Sequence, residues 1–483
     1  MSPEFARETA SIMAGNGIPV RFFEDITPTP LCSFAVRETG ATAGIVVTAS
    51  HNPPEYNGYK VYWSDGGQIV PPHDKNIIAQ VEKIESVSSI KKMGFAEGVS
   101  SGIITILKDD FHDIYIRALE KESLREKGPS PVKIVYSALH GSGYRIVPKT
   151  LRHFGFNDIH MESEQSIPDG NFPTVESPNP EEPGAMKRAM ELAEKVQADI
   201  VMATDPDSDR MGIAFRNREG EYILINGNQI GVMLEYYILT RRAENKSLPS
   251  GGVIVKTIVT SEIQREVAEH FGCRAEDVLT GFKWIAALMK KYEETGDATF
   301  IFGGEESYGY LGVPFVRDKD AVSSCLFFAE MTDWLKSSGR TPMDFLNEIY
   351  LKFHCYLEDM HSLTMKGKDG LEKIKNLMKR FRVQPPKSIS NIAVHETRDY
   401  LAGGKAASTG LPSSDVLQFI LADGSLITMR PSGTEPKIKF YFSVREKAEA
   451  HNLEEVQAGL RKRIDAIKED LLRQVDNFIP AEI

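Results

Sequence analysis

Asp205, Asp207 and Asp209 alternate in the run Asp205-Pro-Asp-Ser-Asp-Arg210. Carboxylates at that spacing converge only where a cation offsets their repulsion, and three hard oxygen ligands suit Mg2+, which keeps its other positions for water or phosphate. A calcium EF-hand loop is excluded, because Arg210 and Arg216 stand where it needs Gly and Glu. A solvated acidic turn stays open. Ser50 ends an apolar run beside His51 and ahead of Asn52-Pro53-Pro54, which holds the chain extended. Its hydroxyl can act as a nucleophile or carry a phosphoryl group. The glycines of a hydrolase elbow are missing, since Thr48 and Asn52 occupy their places; capping of a turn by Ser50 and Asn52 is the plainer alternative. Glu305 and Ser307, set between Gly304 and Gly309, offer a carboxylate and a hydroxyl to vicinal sugar hydroxyls. Thr280-Gly-Phe-Lys283 is either a further polar contact or a helix cap. In Arg430-Pro-Ser-Gly-Thr-Glu-Pro-Lys437 the guanidinium fork of Arg430, the Ser432 and Thr434 hydroxyls and the backbone at Gly433 form a phosphate cradle, or else a tight turn between strands. Lys439 on the same strand face favours the anion site. Neither a Walker A loop nor a dinucleotide fingerprint accompanies it. A hydroxyl carrier, a cation nest, a polyol grip and a phosphate cradle together point to phosphoryl transfer on a phosphorylated sugar.

These groups need strands to aim them. Residues 44–48, 198–204 and 299–303 are short apolar runs of little alternation, as in strands buried on both faces of a parallel sheet, and each ends in one of the polar loops. Amphipathic helices are predicted between them, over 182–195 and 261–271 for example. Alternating strands and helices imply α/β, doubly wound domains with ligands at the carboxyl ends of strands. Three such loops in equivalent places predict three similar α/β domains around one central cleft. The last hundred residues differ. Asp423-Gly424 between two apolar runs predicts a hairpin, and 437–444 alternates with Ile438, Phe440, Phe442 and Val444 on one face. With a helical tail over 452–476, this is a smaller α+β C-terminal domain, entered through a linker at Gln384-Pro-Pro-Lys-Ser. Domains are expected at 1–110, 111–240, 241–365 and 380–483. The chain opens on a helix, 3–14, before a strand at Val20–Phe23, so the first domain is expected to lack its N-terminal strand.

Composition agrees with a multidomain enzyme. The 483 residues are 41% hydrophobic, and 68 acidic against 57 basic residues argue against a general nucleic-acid or anionic-membrane binder. No apolar stretch reaches membrane-spanning length, and the charged start lacks the apolar core of a signal peptide. Cys32, Cys273, Cys325 and Cys355 form no paired motif, so a cytoplasmic protein without disulfides is expected.

Thr48-Ala-Ser-His-Asn-Pro53, Asp205-Pro-Asp-Ser-Asp-Arg210, Gly304-Glu-Glu-Ser-Tyr-Gly309 and Arg430-Pro-Ser-Gly-Thr-Glu-Pro436 resemble, in order and spacing, the four signatures of the α-D-phosphohexomutases. The resemblance covers essentially the whole chain. It implies that Ser50 carries a phosphoryl group and that Mg2+ is held by Asp205, Asp207, Asp209 and an oxygen of that phosphoserine. It further implies donation to a sugar 1-phosphate, giving a bisphosphate that turns and returns the other phosphoryl, with glucose 1,6-bisphosphate as activator. Lys60 and Arg210 would stabilise equatorial oxygens or shuttle protons. Arg430, Ser432, Gly433 and Thr434 would hold the non-reacting phosphate, Glu305 and Ser307 the sugar, with Thr280 and Lys319 nearby; His51 and His140 are further motif positions. Glu-Glu-Ser and Gly281-Phe-Lys-Trp284 resemble the phosphoglucomutase and phosphopentomutase branch. The expected activity interconverts hexose 1-phosphate and hexose 6-phosphate, glucose favoured. A phosphopentomutase is the alternative, as is a sugar-phosphate-binding protein impaired by an incomplete first domain. Family members carry a Gly-Thr-[Ser/Gly]-Gly-x-Arg-Gly segment and a strand ahead of the position of Pro3, and neither stands here. A phosphatase of the haloacid-dehalogenase type is disfavoured, because Asp209 stands where those enzymes have Thr or Val. A monomer or homodimer with a small phosphosugar ligand is expected.

Overall fold

The computed structural model describes residues 1–365, 369–401, 410–432 and 436–478. They form two compact units. One comprises Met1–Lys256, Val267–Glu276 and Gly281–Phe345, the other Thr257–Glu266, Asp277–Thr280 and Leu346–Ile483.

The first unit carries α/β layers. Its opening helix, Ser2–Gly15, precedes the strand Val20–Phe23, which pairs in parallel with Ile104–Leu107. A separate antiparallel pair, Ala43–Val47 with Tyr59–Trp63, flanks the Ser50 loop. The next sheet has five strands in the order Ile159–Met161, Ile134–Ser137, Ile200–Thr204, Met211–Arg216 and Tyr222–Leu224. Its three leading members are parallel, Met211–Arg216 runs against them, and Tyr222–Leu224 turns back again. Every residue of Ile134–Ser137 and Ile200–Thr204 is buried, which accounts for their unbroken apolar sequence. Helix Pro183–Val196 covers one face with Ala185, Met186, Ala189 and Ala193 at helical spacing, and the three alanines let it lie close. The third sheet orders Arg274–Val278, Gly252–Thr257, Thr299–Gly304 and Tyr310–Leu311. Helix Gly227–Glu244 in this region starts on a capping box, Asn226 with Gln229.

The sequence pattern predicted that the chemistry-bearing loops lead from strand to helix, and here the structure differs. The loops at 48–58, 205–210 and 305–309 each join a strand to an antiparallel partner that turns straight back; strands Leu426–Pro431 and Lys437–Glu446 are antiparallel too, as the sequence pattern of the last hundred residues implies. Burial on both faces determines the apolar run, whereas strand direction depends on hydrogen-bond partners, so composition cannot distinguish the two. A reversing loop is held at both ends by one ladder, and its side chains are aimed by the sheet itself.

The second unit contains a six-stranded antiparallel sheet, ordered Cys355–Thr364, Lys437–Glu446, Leu426–Pro431, Leu417–Leu421, Ile392–Asp399 and Ser388–Ile389. The Asp423-Gly424 hairpin forms as expected, with Gly424 at φ 83°. Ile438, Phe440, Phe442 and Val444 are buried together, and so is one stripe of helix Leu453–Phe478. Strand Cys355–Thr364 and helix Gly370–Val383 fall ahead of the expected boundary, yet the strand pairs along its whole length with Lys437–Glu446. It is an edge strand, largely half-buried, and therefore shows no clean alternation to read. The Gln384-Pro-Pro-Lys-Ser stretch consequently lies inside this unit, between helix Gly370–Val383 and strand Ser388–Ile389. No helix among the described residues is long and apolar enough to cross a membrane.

Candidate active site

The Ser50 loop is pinched at its base. Thr48 N–H donates to the Gly58 carbonyl at 3.0 Å, and a Cβ on Gly58 would come within 2.6 Å of the Thr48 carbonyl oxygen. Ser50 sits in the left-handed region at φ 53°, a conformation that costs a non-glycine residue energy and recurs at functional sites. Its N–H donates to Thr48 Oγ1 at 2.8 Å, its hydroxyl donates to Asp205 Oδ2 at 2.7 Å, and His51 Nδ1 lies 3.3 Å from the same hydroxyl. The loops at 205–210 and 305–309 contain the same backbone feature, Ser208 at 53° and Tyr308 at 66°.

The three aspartates form a buried nest. Asp205 Oδ1 accepts the backbone N–H groups of Asp209 and Arg210 at 3.1 and 3.0 Å, which curls the loop around its own carboxylate. Asp207 Oδ2 accepts from Lys60 at 3.0 Å, Thr29 at 3.1 Å and Thr48 at 3.2 Å. Asp209 Oδ2 faces two ammonium groups, Lys319 at 3.1 Å and Lys60 at 3.4 Å. One ligand oxygen from each aspartate lies within 4.8 Å of the others. Asp207 Oδ1 and Asp209 Oδ1 are buried with no hydrogen-bond partner among the described residues. Arg210 Nε stands 3.8 Å from Asp209 Oδ1, too far to hydrogen-bond, so these dry carboxylate oxygens stay costly unless a further cation takes them, and the hard donors fit a divalent metal ion. Burial, reinforced by the charges of Asp207 and Asp209, pushes the Asp205 carboxyl well above its usual range. Burial also opposes ionisation of Asp207, but the adjacent Lys60 overcomes it and holds that carboxyl low. Lys60 and Lys319 remain protonated against their own burial because the aspartates surround them.

Arg210 ties this nest to the neighbouring loop. Its Nη1 donates to Glu181 Oε1 and to the Ser307 carbonyl, both at 3.0 Å. Met211 N–H donates to the Tyr308 carbonyl at 3.0 Å. Glu305 is buried and accepts the Gly281 N–H at 2.9 Å. Lys319 threads past Gly309, where a Cβ would come within 2.0 Å of its Cδ. The carboxylate of Asp318 accepts from Tyr62 at 2.6 Å and Gln68 at 2.9 Å, and from Lys319 at 3.3 Å. Despite burial, the charges of Lys319 and Lys60 hold Asp318 below the ordinary carboxylate range.

In the second unit Arg430 and Ser432 lie at the end of strand Leu426–Pro431, both half-buried. Arg430 reaches the Tyr441 hydroxyl at 3.4 Å and pairs across strands with Lys439, and Ser432 N–H donates to the Lys437 carbonyl at 2.7 Å. Gly433 and Thr434 lie outside the described residues.

Family models agree with this geometry domain by domain. Those for the phosphoglucomutase/phosphomannomutase α/β/α domains I, II and III match residues 1–88, 113–220 and 226–353, and that for the C-terminal domain matches 373–459. A protein described as "Probable phosphomannomutase" from Haemophilus influenzae is 36% identical over 450 residues, 92% of this chain and 86% of that protein. The chain belongs to the phosphoglucomutase/phosphomannomutase family. A Staphylococcus aureus phosphoglucomutase is likewise 36% identical over 452 residues, covering 92% of this chain and 80% of its own. The crystal structure of a family protein from Burkholderia thailandensis superposes with a TM-score of 0.68 at 18% identity, covering all of this chain and 95% of the other, and so shares the fold. Membership makes the chain an isomerase of the phosphotransferase kind.

For a member of this family, the expected residues divide as follows. The structure gathers Ser50, His51, Lys60, Asp205, Asp207, Asp209, Arg210, Lys319 and the Ser307 backbone through the contacts above. His140 is a buried brace: Nδ1 lies 2.9 Å from the Ile167 carbonyl and Nε2 lies 2.8 Å from Thr174 Oγ1. Thr280 is half-buried in the segment Asp277–Thr280 of the second unit. Sequence reasoning missed Thr29, Glu181 and Asp318. Thr29 opens helix Thr29–Glu38 and looks like an ordinary helix start. Glu181 is one of two adjacent glutamates ahead of Pro183, with nothing to single it out. Asp318 lies beside Lys319 in Arg317-Asp-Lys-Asp320, a signal that was available.

Proposed function

We propose that this chain is a phosphohexose mutase that interconverts hexose 1-phosphate and hexose 6-phosphate, with glucose the favoured sugar and Ser50 the phosphoryl carrier. The observation that carries this reading is the Ser50 hydroxyl, 2.7 Å from Asp205 and aimed into the buried nest. A phosphoryl group at that hydroxyl meets three carboxylates and is tolerated only with cationic compensation. Asp205, Asp207 and Asp209 would hold Mg2+, which when bound offsets the phosphoryl charge and draws electron density from the departing oxygen. The chain's own cations do the rest. Lys60 and Lys319, kept protonated by the aspartates, present fixed positive charge to the equatorial oxygens. In the forward step the P–Oγ bond of Ser50 breaks as a bond forms to the free sugar hydroxyl, whose proton ends on Ser50 Oγ. His51 Nδ1, 3.3 Å from that oxygen, is within reach to relay it. The bisphosphate turns, and the same step in reverse returns the other phosphoryl to Ser50.

Arg430, Ser432, Gly433 and Thr434 hold the phosphate that is not reacting, while Glu305, Ser307 and Thr280 contact the sugar. A cytoplasmic location suits free phosphosugars. The names of the relatives divide between phosphoglucomutase and phosphomannomutase, and Glu-Glu-Ser in the sugar loop favours the first. A coupled assay from glucose 1-phosphate to glucose 6-phosphate, with Mg2+ and a trace of glucose 1,6-bisphosphate, tests the reading. Turnover that disappears in Ser50→Ala supports it. Turnover of ribose 1-phosphate alone would replace hexose by pentose. Binding of glucose 6-phosphate without turnover of any sugar phosphate would make the chain a binding protein.

A further inference from the structure

Lys319 enters the nest from the loop after strand Tyr310–Leu311, and a four-carbon stem alone does not place an ammonium group. The wall at Gly309 confines the stem, and the Phe282 ring lies 5.6 Å from the ammonium nitrogen. Among the anions, Asp209 Oδ2 is shared with Lys60 and belongs to the set that fits a metal ion. Asp318 stands outside that set. It is 1% exposed, and four donors satisfy its two oxygens. Lys319 N–H at 2.9 Å and Lys319 Nζ at 3.3 Å serve one, and Tyr62 Oη at 2.6 Å and Gln68 Nε2 at 2.9 Å serve the other. Tyr62 is wholly buried on strand Tyr59–Trp63, two residues beyond Lys60 and therefore on the same face. One short hydrogen bond thus connects the strand that carries Lys60 to the loop that carries Lys319.

We propose that Asp318 is a positioning residue, anchored by Tyr62 and Gln68, that seats the Lys319 ammonium at the carboxylate nest. Once a cation claims Asp209, Asp318 remains as an anion in direct contact with Lys319 and fixes its spacing from Lys60. The proposal rests on the mutase reading for its kinetic consequence, but the seat itself is measurable without turnover.

The first experiment acetylates the intact protein with a water-soluble ester and follows each lysine by peptide mass spectrometry. In Asp318→Asn the labelling rate at Lys319 rises about tenfold, the scale on which losing a charged hydrogen-bond partner acts. Lys256, buried elsewhere in the same unit, changes less than about twofold, as expected of a site whose burial is untouched. An unchanged rate at Lys319 overturns the proposal, and so does an equal rise at Lys256, which would make Asp318 a general brace of the fold. The second experiment is kinetic. Asp318→Asn lowers kcat about thirtyfold with KM within about threefold, and adds almost nothing to Lys319→Ala, because residues that act as one unit are not additive. Full additivity of the two losses overturns the proposal. Should Asp318→Asn fail to fold, Tyr62→Phe removes only one anchor and gives the same selective labelling and the same non-additivity, at about threefold. A wild-type protein that turns over no sugar phosphate counts against the mutase reading, and the labelling result still decides the role of Asp318.

Discussion

The carboxylate nest and the Arg430 loop both handle charge, and they are built in opposite ways. Asp205, Asp207 and Asp209 are 0%, 5% and 1% exposed, whereas Arg430 and Ser432 stay half-buried and partly wet. Around the nest, Lys60, Lys319, Thr29, Thr48 and two backbone N–H groups are already in place, so little rearrangement is left for the moment of reaction. The Arg430 loop follows another logic. A group that must grip and release a phosphate gains nothing from being dehydrated in advance, because a buried guanidinium without its anion is costly. On the mutase reading, chemistry is concentrated where charges are dry and fixed, and phosphate binding where a charge stays partly hydrated.

This contrast can be broken at its centre. Ser50→Ala should lower turnover by about 10⁴-fold or more, as loss of a covalent carrier does, while the melting temperature stays within a few degrees. Residual activity near wild type in the coupled assay would remove Ser50 from the chemistry. Asp207→Ala should combine both penalties. It leaves Lys60 without its strongest partner in a dry site, so stability falls by about 3 kcal/mol in a denaturant titration and turnover falls by about 10³-fold. Arg430→Ala tests the other side. KM for the sugar phosphate should rise about 10- to 100-fold with kcat much less affected, the worth of charge-assisted hydrogen bonds to phosphate. Its stability should change by less than about 0.5 kcal/mol, and a loss as large as that of Asp207→Ala would cancel the distinction.

The smallest effect belongs to an ion pair at the rim of the first unit. Glu293 bonds to Arg37 at 2.8 Å and to Arg317 at 2.8 Å. The hydrogen bond from Arg37, aided by the Arg317 charge against partial burial, brings its carboxyl down to about 2. A carboxyl depressed by folding contributes stability above its unfolded value, about 4.3, and loses it as the pH falls through the folded one. Glu293→Gln should therefore melt slightly below wild type above about pH 5, and the two curves should converge near pH 2. With Glu293 51% exposed, about 1 M salt should shrink the difference as well. A gap that persists at low pH would show that the amide disturbs packing instead.

Much of this was legible in one dimension. The alternation of Asp205, Asp207 and Asp209 announced a cation nest, Asp423-Gly424 a hairpin, and the even-numbered apolar residues from Ile438 to Val444 a one-sided strand. Such features are local, because turn chemistry, side-chain period and ligand type depend on a few neighbouring residues. Strand direction after the loops at 48–58, 205–210 and 305–309 was not legible, nor was the edge strand Cys355–Thr364, whose half-buried faces leave no periodic trace. Arg210 was legible as a cation beside the nest, but its bonds to Glu181 and the Ser307 carbonyl were not, because both partners are distant in the chain.

The sequence by itself determined which chemical groups are present, their order along the chain and the turns that expose them. Only the tertiary structure decided their partners. Ser50 meets Asp205 across 155 positions, and Tyr62 meets Asp318 across 256. Such pairings are chosen by the burial of whole sheets and by the need of each dehydrated charge for a counter-charge, and no spacing in the chain records them.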